Sequence, residues 1–218
     1  PSIIALVDPE TGDYEQLDSG KPSPVESAYV SMPQAIAYLS ADGSTAYALF
    51  YPPTNPNYEA PEGELPPLIV KSHGGPTSSA QAHLNLKYQF WTSRGFAVLD
   101  VNYSGSTGFG TEYRRRLNGG WGVVDLDDCE YGAKYLAEQK LADPERVLIT
   151  GGSAGGYTTL CALTFRPETF KTGASYYGIG DLETLAGDTH KFEARYLDSL
   201  VGKYPEDIAV YKERSPIN

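Results

Sequence analysis

The sequence predicts a mixed α/β fold built on a mostly parallel sheet with helices on both faces. Three observations carry this expectation. From Leu68 onward, short apolar runs alternate with stretches of helical spacing, which is how parallel strands and crossover helices are laid down along a chain. The run Val147-Leu148-Ile149-Thr150 meets a serine flanked by glycines, Gly151-Gly152-Ser153-Ala154-Gly155, and continues as an apolar helical pattern. Two further Gly-rich loops follow apolar runs directly, and loops at the carboxyl ends of parallel strands converge on one site.

Taken in order, residues 3–7, the turn at 8–13 and Tyr14 to Leu17 read as a β-hairpin. After a polar link with Pro22 and Pro24 come two strand patterns, roughly 28–39 and 45–51, joined by Ala41-Asp42-Gly43-Ser44. The expected division is therefore 1–25 as an end piece and link, and 26–218 as the main domain. The Pro-rich stretch 52–67 is a surface loop. Leu68 to Val70 is a buried strand, Leu84 to Arg94 a helix stopped by Gly95, and Phe96 to Val101 a strand. Val124 to Gln139 is a helix with Leu126, Cys129, Ala133 and Leu136 on one face. Its acids, Asp125, Asp127, Asp128 and Glu130, read as a solvated helix start that complements the dipole, not as metal ligands. Beyond the serine, Gly173 to Tyr177 reads as a strand, and Lys191 to Leu200 and Glu206 to Arg214 as helices.

Composition narrows the function classes. Seventeen Lys+Arg against 28 Asp+Glu give a net charge of −11, which disfavours a phosphate-backbone partner, so no nucleic acid is expected. No stretch approaches the roughly 20 apolar residues of a membrane span, so no membrane partner is expected. Cys129 and Cys161 are too few for a disulfide framework and read as core residues in a reducing compartment, making the cytoplasm the expected location. No cofactor and no metal are called for. A homo-oligomer is compatible with the pattern.

The glycine-flanked serine reads as a nucleophile elbow. In such a turn the residues two before and two after the serine need to be almost side-chain-free so that strand and helix can pass close together; Gly151 and Gly155 fill those places. Ser153 is the candidate nucleophile. Ser72-His73-Gly74-Gly75-Pro76 follows the Leu68 strand, where the second oxyanion donor belongs, so Gly75 N–H and Ala154 N–H form the candidate oxyanion pair. His73 reads as a histidine packed beneath this loop. Asn102-Tyr103-Ser104-Gly105-Ser106-Thr107-Gly108-Phe109-Gly110 matches neither the dinucleotide fingerprint nor the P-loop, and is expected to wall the same cleft. Tyr177 and Ile179, leaving the strand after the elbow helix, are candidates for the substrate pocket. A base and an acid need to follow in the order Ser, Asp or Glu, His. Asp181, Asp188 and His190 satisfy the order, yet 181–190 holds no strand-helix-strand unit from which they could hang, so His190 reads as the first turn of an exposed helix.

Together these motifs, with Trp121 to Asp128 and Glu213-Arg214-Ser215-Pro216-Ile217, resemble the prolyl oligopeptidase family of serine peptidases, in particular its acylaminoacyl and dipeptidyl aminopeptidase branch. The resemblance spans about residues 28–218. It implies an α/β-hydrolase fold, hydrolysis of short peptides through an acyl-enzyme, and an upstream β-propeller whose last piece is the hairpin at 3–17. It also implies a catalytic Asp and His beyond Asn218, so that residues 1–218 are expected to be an inactive fragment lacking the last strands. Ser104 stands where relatives often carry arginine. A carboxylesterase would use the same site on esters, and a binding module would keep the fold without turnover.

Overall fold

A computed structural model of the chain describes residues 4–18, 23–188 and 195–218. β1 (Ile4–Val7) and β2 (Tyr14–Asp18) pair antiparallel as a two-stranded sheet of their own. All the other strands among the described residues belong to a six-stranded sheet. Its members are β3 (Gln34–Leu39), β4 (Thr45–Tyr51), β5 (Leu68–Ser72), β6 (Ala97–Asn102), β7 (Val147–Gly152) and β8 (Thr172–Tyr176), in the order β3-β4-β6-β5-β7-β8. β3 and β4 run antiparallel to each other, and β4 antiparallel to β6. From β6 to β8 every pairing is parallel. This is the α/β-hydrolase arrangement that the motifs imply.

Helices cover both faces. α1 (Leu86–Thr92) starts at Asn85, whose side chain accepts from the Lys87 N–H, and lies over Tyr51, Ile69 and Val98 on one face. α3 (Val124–Glu138) and α4 (Ala154–Phe165), preceded by the short α2 (Thr111–Arg115), pack on the other over Val70, Leu99 and Ile149. Leu68, Val70, Leu99 and Leu136 are fully buried, and each such side chain contributes about 1.5–3 kcal/mol through removal of apolar surface from water. α5 (Leu182–Asp188), α6 (Tyr196–Leu200) and α7 (Ile208–Glu213) complete the chain.

The structure corrects the sequence reading in several places. Residues 28–33 are not strand: a 3-10 turn occupies Ser27–Tyr29, and β3 begins only after Pro33, which has no N–H to give to a ladder. α2 and α5 fall in stretches expected to be loop. The acids at the start of α3 are not a solvated face. Asp125 and Asp128 are fully buried and Glu130 nearly so, because each finds donors. Asp125 accepts from the Gly122 N–H and the Thr158 hydroxyl, both at 2.6 Å. Asp128 accepts from the Ser104 N–H at 2.6 Å and from the Ser40 hydroxyl. Cys129 and Cys161 are buried free thiols, as expected.

Candidate active site

The site is assembled at the carboxyl ends of β5, β6 and β7. β7 ends at Gly152, α4 begins at Ala154, and Ser153 between them sits at φ 55°, ψ −122°. A left-handed φ in a non-glycine residue costs on the order of 1–3 kcal/mol and persists only where surroundings impose it. Here they do. The Ser153 N–H donates to the Tyr176 carbonyl at 3.0 Å, and the Ser153 carbonyl accepts from the Tyr157 N–H at 3.0 Å. A Cβ on Gly151 would lie 2.8 Å from the Ser72 carbonyl oxygen, and one on Gly155 would lie 2.8 Å from that of His73. Only glycine lets β7, α4 and the end of β5 approach this closely. The serine side chain is left exposed.

The loop after β5 comes up against it. A Cβ on Gly74 would lie 3.6 Å from the Ser153 Cβ, which places the His73-Gly74-Gly75 turn beside the hydroxyl. Gly75 adopts φ 128° and is exposed, and Ala154 is the first residue of α4, where a backbone N–H has no partner within the helix. Among the described residues no side chain hydrogen-bonds to the Ser153 hydroxyl.

His73 is buried, as its sequence setting suggested, and clamps the loop. Its ring stacks on Tyr103 at 4.2 Å between centroids. Nδ1 lies 2.8 Å from the Gly74 carbonyl, and Nε2 lies 2.8 Å from the Ser106 Oγ. The Ser106 hydroxyl also reaches the Tyr103 carbonyl at 2.7 Å. Burial pushes the His73 pKa down to about 4, so the ring is neutral at physiological pH. The Tyr103 hydroxyl donates to the carbonyls of His73 and Pro76, each at 3.0 Å, and the Thr107 N–H donates to Ser78. The loops after β5 and β6 thus form one bonded unit. Sequence reasoning placed both loops at the cleft but missed the Ser106–His73 contact and the anchoring of Ser104 by Asp128.

Other candidates separate. Tyr177 is 84% exposed at φ 42°, with its ring over Gly152, where a Cβ would lie 2.9 Å from the tyrosine oxygen. Ile179 is half-buried and packs against the main core. Asp181 accepts from the Glu183 N–H and the Thr184 hydroxyl at the start of α5, so its carboxylate is spent on that helix end. Asp188 is the last residue of α5, and His190 lies outside the described residues. His83 is exposed. Among the described residues no three His, Cys, Asp or Glu side chains gather as metal ligands, and no helix is long and apolar enough to cross a membrane. A concavity of about 1200 Å³, lined by Pro53, Pro66, Arg94 and Arg146, lies at the amino ends of the parallel strands, opposite the serine.

Comparison with known proteins identifies the family of the fold. The model of the prolyl oligopeptidase family matches residues 82–218. The solved structure of a Mycobacterium tuberculosis puromycin-hydrolyzing peptidase superposes with a TM-score of 0.94 at 46% identity, over 99% of this chain and 33% of that one. Dipeptidyl aminopeptidase BIII of Pseudoxanthomonas mexicana is 30% identical over 100% of this chain and 32% of its own length. The acylamino-acid-releasing enzyme of Arabidopsis thaliana is 31% identical over 72% of this chain and 21% of its own. The chain therefore spans about a third or less of the length of these relatives.

Proposed function

This chain belongs to the prolyl oligopeptidase family, and we propose that it carries the nucleophile and oxyanion hole of a serine peptidase acting on short peptides. In this mechanism the Ser153 Oγ attacks the scissile carbonyl carbon. The carbonyl oxygen, now negative, accepts from the Gly75 and Ala154 N–H groups. The tetrahedral adduct collapses to an acyl-enzyme as the amine leaves with a proton, and water then hydrolyses the ester. Each oxyanion donor is expected to contribute about 2.7–4 kcal/mol to the transition state.

The observation that carries the proposal is the strained φ of Ser153 beside the His73-Gly74-Gly75 turn. The base is assigned to a histidine other than His73 and His83: the first is bonded to Ser106 and the Gly74 carbonyl, and the second is exposed with no bond to the serine. Tyr177, beside Gly152, is proposed to border the pocket for the residue before the scissile bond. Ile179 completes that proposal on the strand-exit side. The two buried free thiols support a cytoplasmic setting.

The test is Ser153→Ala in the full-length protein, assayed on puromycin and aminoacyl-nitroanilides. Loss of the nucleophile is expected to lower turnover on the order of 10⁶-fold and to abolish labelling by a fluorophosphonate. Retention of more than a tenth of the wild-type rate would refute the assignment. Turnover of carboxylic esters with no detectable turnover of any peptide amide would favour an esterase.

A further inference from the structure

α4 begins with a turn that its own sequence supports poorly. Its first residues are Ala154-Gly155-Gly156, and glycine weakens a helix interior relative to alanine. Neither glycine can give way to a better helix former, because a Cβ at 155 would meet the Ser72 carbonyl and one at 156 would lie 2.7 Å from the Gly178 Cα. No side chain caps this end: Ser153 holds the cap position in a left-handed conformation and makes no cap bond. Yet this turn carries the nucleophile and the Ala154 N–H.

The restraint comes from the next turn. Thr158 Oγ1 lies 3.2 Å from the Ala154 carbonyl oxygen, and the Thr159 hydroxyl donates to the Gly155 carbonyl at 2.8 Å, so two consecutive threonines reach back over the glycines. Thr158 is tied in turn to α3. Its hydroxyl lies 2.6 Å from Asp125 Oδ2, while Asp125 Oδ1 accepts from the Gly122 N–H at 2.6 Å. One carboxylate therefore joins the loop ahead of α3 to the helix behind the serine. That loop meets α4 at a second point. The Gly122 backbone, at φ 84°, lies against the Tyr157 hydroxyl, which donates to the Arg214 carbonyl at 2.9 Å, and the Arg214 guanidinium donates to the Trp121 carbonyl at 3.1 Å.

For holding the fold alone, Asp125 is a poor choice. It is fully buried, and among the described residues no cation comes within ion-pair distance of it. Asp128, of the same sign, acts on it from the same helix, and burial pushes the Asp125 carboxyl up to about 6. At neutral pH the fold thus keeps an uncompensated charge at the expense of its own stability, and it keeps it behind the first turn of the nucleophile helix.

We propose that Asp125 is a positioning residue for the hydrolytic reaction: through the Thr158 hydroxyl it fixes the first turn of α4, and so sets the direction of the Ala154 N–H that receives the oxyanion. This rests on the reading of Ser153 and Ala154 given above. Asp125 touches no reacting atom. Its effect is on the aim of a donor, which has to be held to fractions of an ångström to act on charge that exists only in the transition state.

The experiment is steady-state kinetics of the full-length protein on an aminoacyl-nitroanilide, with kcat counted per serine labelled by a fluorophosphonate at saturation. Two variants break the tie. Thr158→Val keeps the shape and removes the hydroxyl, and Asp125→Ala removes the carboxylate, so that no buried charge is left short of a donor should the valine variant fail to fold. Two variants keep it: Thr158→Ser retains the hydroxyl, and in Asp125→Asn the amide can accept from Gly122 and donate to Thr158. Losing an oxyanion donor outright lowers kcat by about 10²- to 10³-fold, and a misdirected one is expected to lower it by about 10- to 100-fold in the first pair, with KM within about threefold. The second pair is expected to stay within about threefold of wild type. A folded member of the first pair with wild-type kcat, or a second pair as slow as the first, would overturn the proposal. Ser153→Ala, run alongside, tells this failure from that of the underlying reading: turnover that survives it refutes the nucleophile itself and the proposal with it, whereas turnover lost there but kept in Thr158→Val and Asp125→Ala refutes only the role of Asp125.

Discussion

Replacing His73 by alanine separates the oxyanion donor from the fold that holds it. The substitution removes the stack on Tyr103 and the bond to Ser106, while the Ser106 hydroxyl keeps the Tyr103 carbonyl as acceptor. The stack is worth about 0.5–1.5 kcal/mol and the hydrogen bond about 1 kcal/mol. A loss of about 2–3 kcal/mol of stability, including the void left at a buried site, therefore leaves the domain folded. The catalytic effect is larger. The loop carrying Gly75 is pinned by the His73 ring and by the Tyr103 hydroxyl on the carbonyls of His73 and Pro76, and without the ring one of those clamps is gone. If Gly75 moves by more than hydrogen-bond tolerance, the transition state loses one donor, which is worth a 10²- to 10³-fold fall in kcat, about 2.7–4 kcal/mol. Because that donor acts on charge present only in the transition state, KM should change little. The assay is steady-state kinetics of full-length wild type and His73→Ala on an aminoacyl-nitroanilide, with near-ultraviolet circular dichroism to confirm folding. A kcat within tenfold of wild type in a folded variant would refute the clamp.

Further expectations concern pH and the isolated chain. Burial drives the His73 pKa down to about 4, so the unfolded chain binds more protons between pH 4 and 6.5, and stability is lost as pH falls through that window, by up to about 3 kcal/mol. Burial drives Asp125 the other way, up to about 6; there the folded state binds more protons, and stability is lost as pH rises from about 4 to 6. Asp125→Asn removes that opposing slope, so urea midpoints of the variant should fall more steeply on acidification below pH 6; profiles that stay parallel to wild type would count against it. Residues 1–218 alone should turn over aminoacyl-nitroanilides and nitrophenyl esters no better than the roughly 10³–10⁴-fold over water that an oxyanion hole and binding leave without a base. Turnover comparable to the full-length protein and abolished by His190→Ala would show instead that the base is local.

The parts legible in the sequence were those encoded by neighbours in the chain. Val147 to Gly155 carries its strand, its strained turn and its helix start within nine residues, and the glycines there announce the close approach that the structure contains. Gly95 after α1 and the turn at Ser40–Ser44 were readable for the same reason. What the sequence hid depends on distant partners. Asp125 and Asp128 look like an ordinary acidic helix start, and their burial draws on donors from Thr158, Ser104 and Ser40, 33, 24 and 88 residues away. His73 and Ser106 are likewise 33 residues apart. Tyr29 and Val30 carry strand propensity, yet Pro33 and the bonding of Ser31 to the Gln89 side chain take that segment off the sheet.

The hydrogen bond from the Ser153 N–H to the Tyr176 carbonyl makes the nucleophile a sentinel for β8. Among the described residues β8 pairs with β7 and packs against α4. When it detaches, the left-handed turn at Ser153 loses one of the restraints that hold it, while β5, β6 and the core of β7 stay in place. Reactivity of Ser153 toward a fluorophosphonate therefore reports on the docking of this strand.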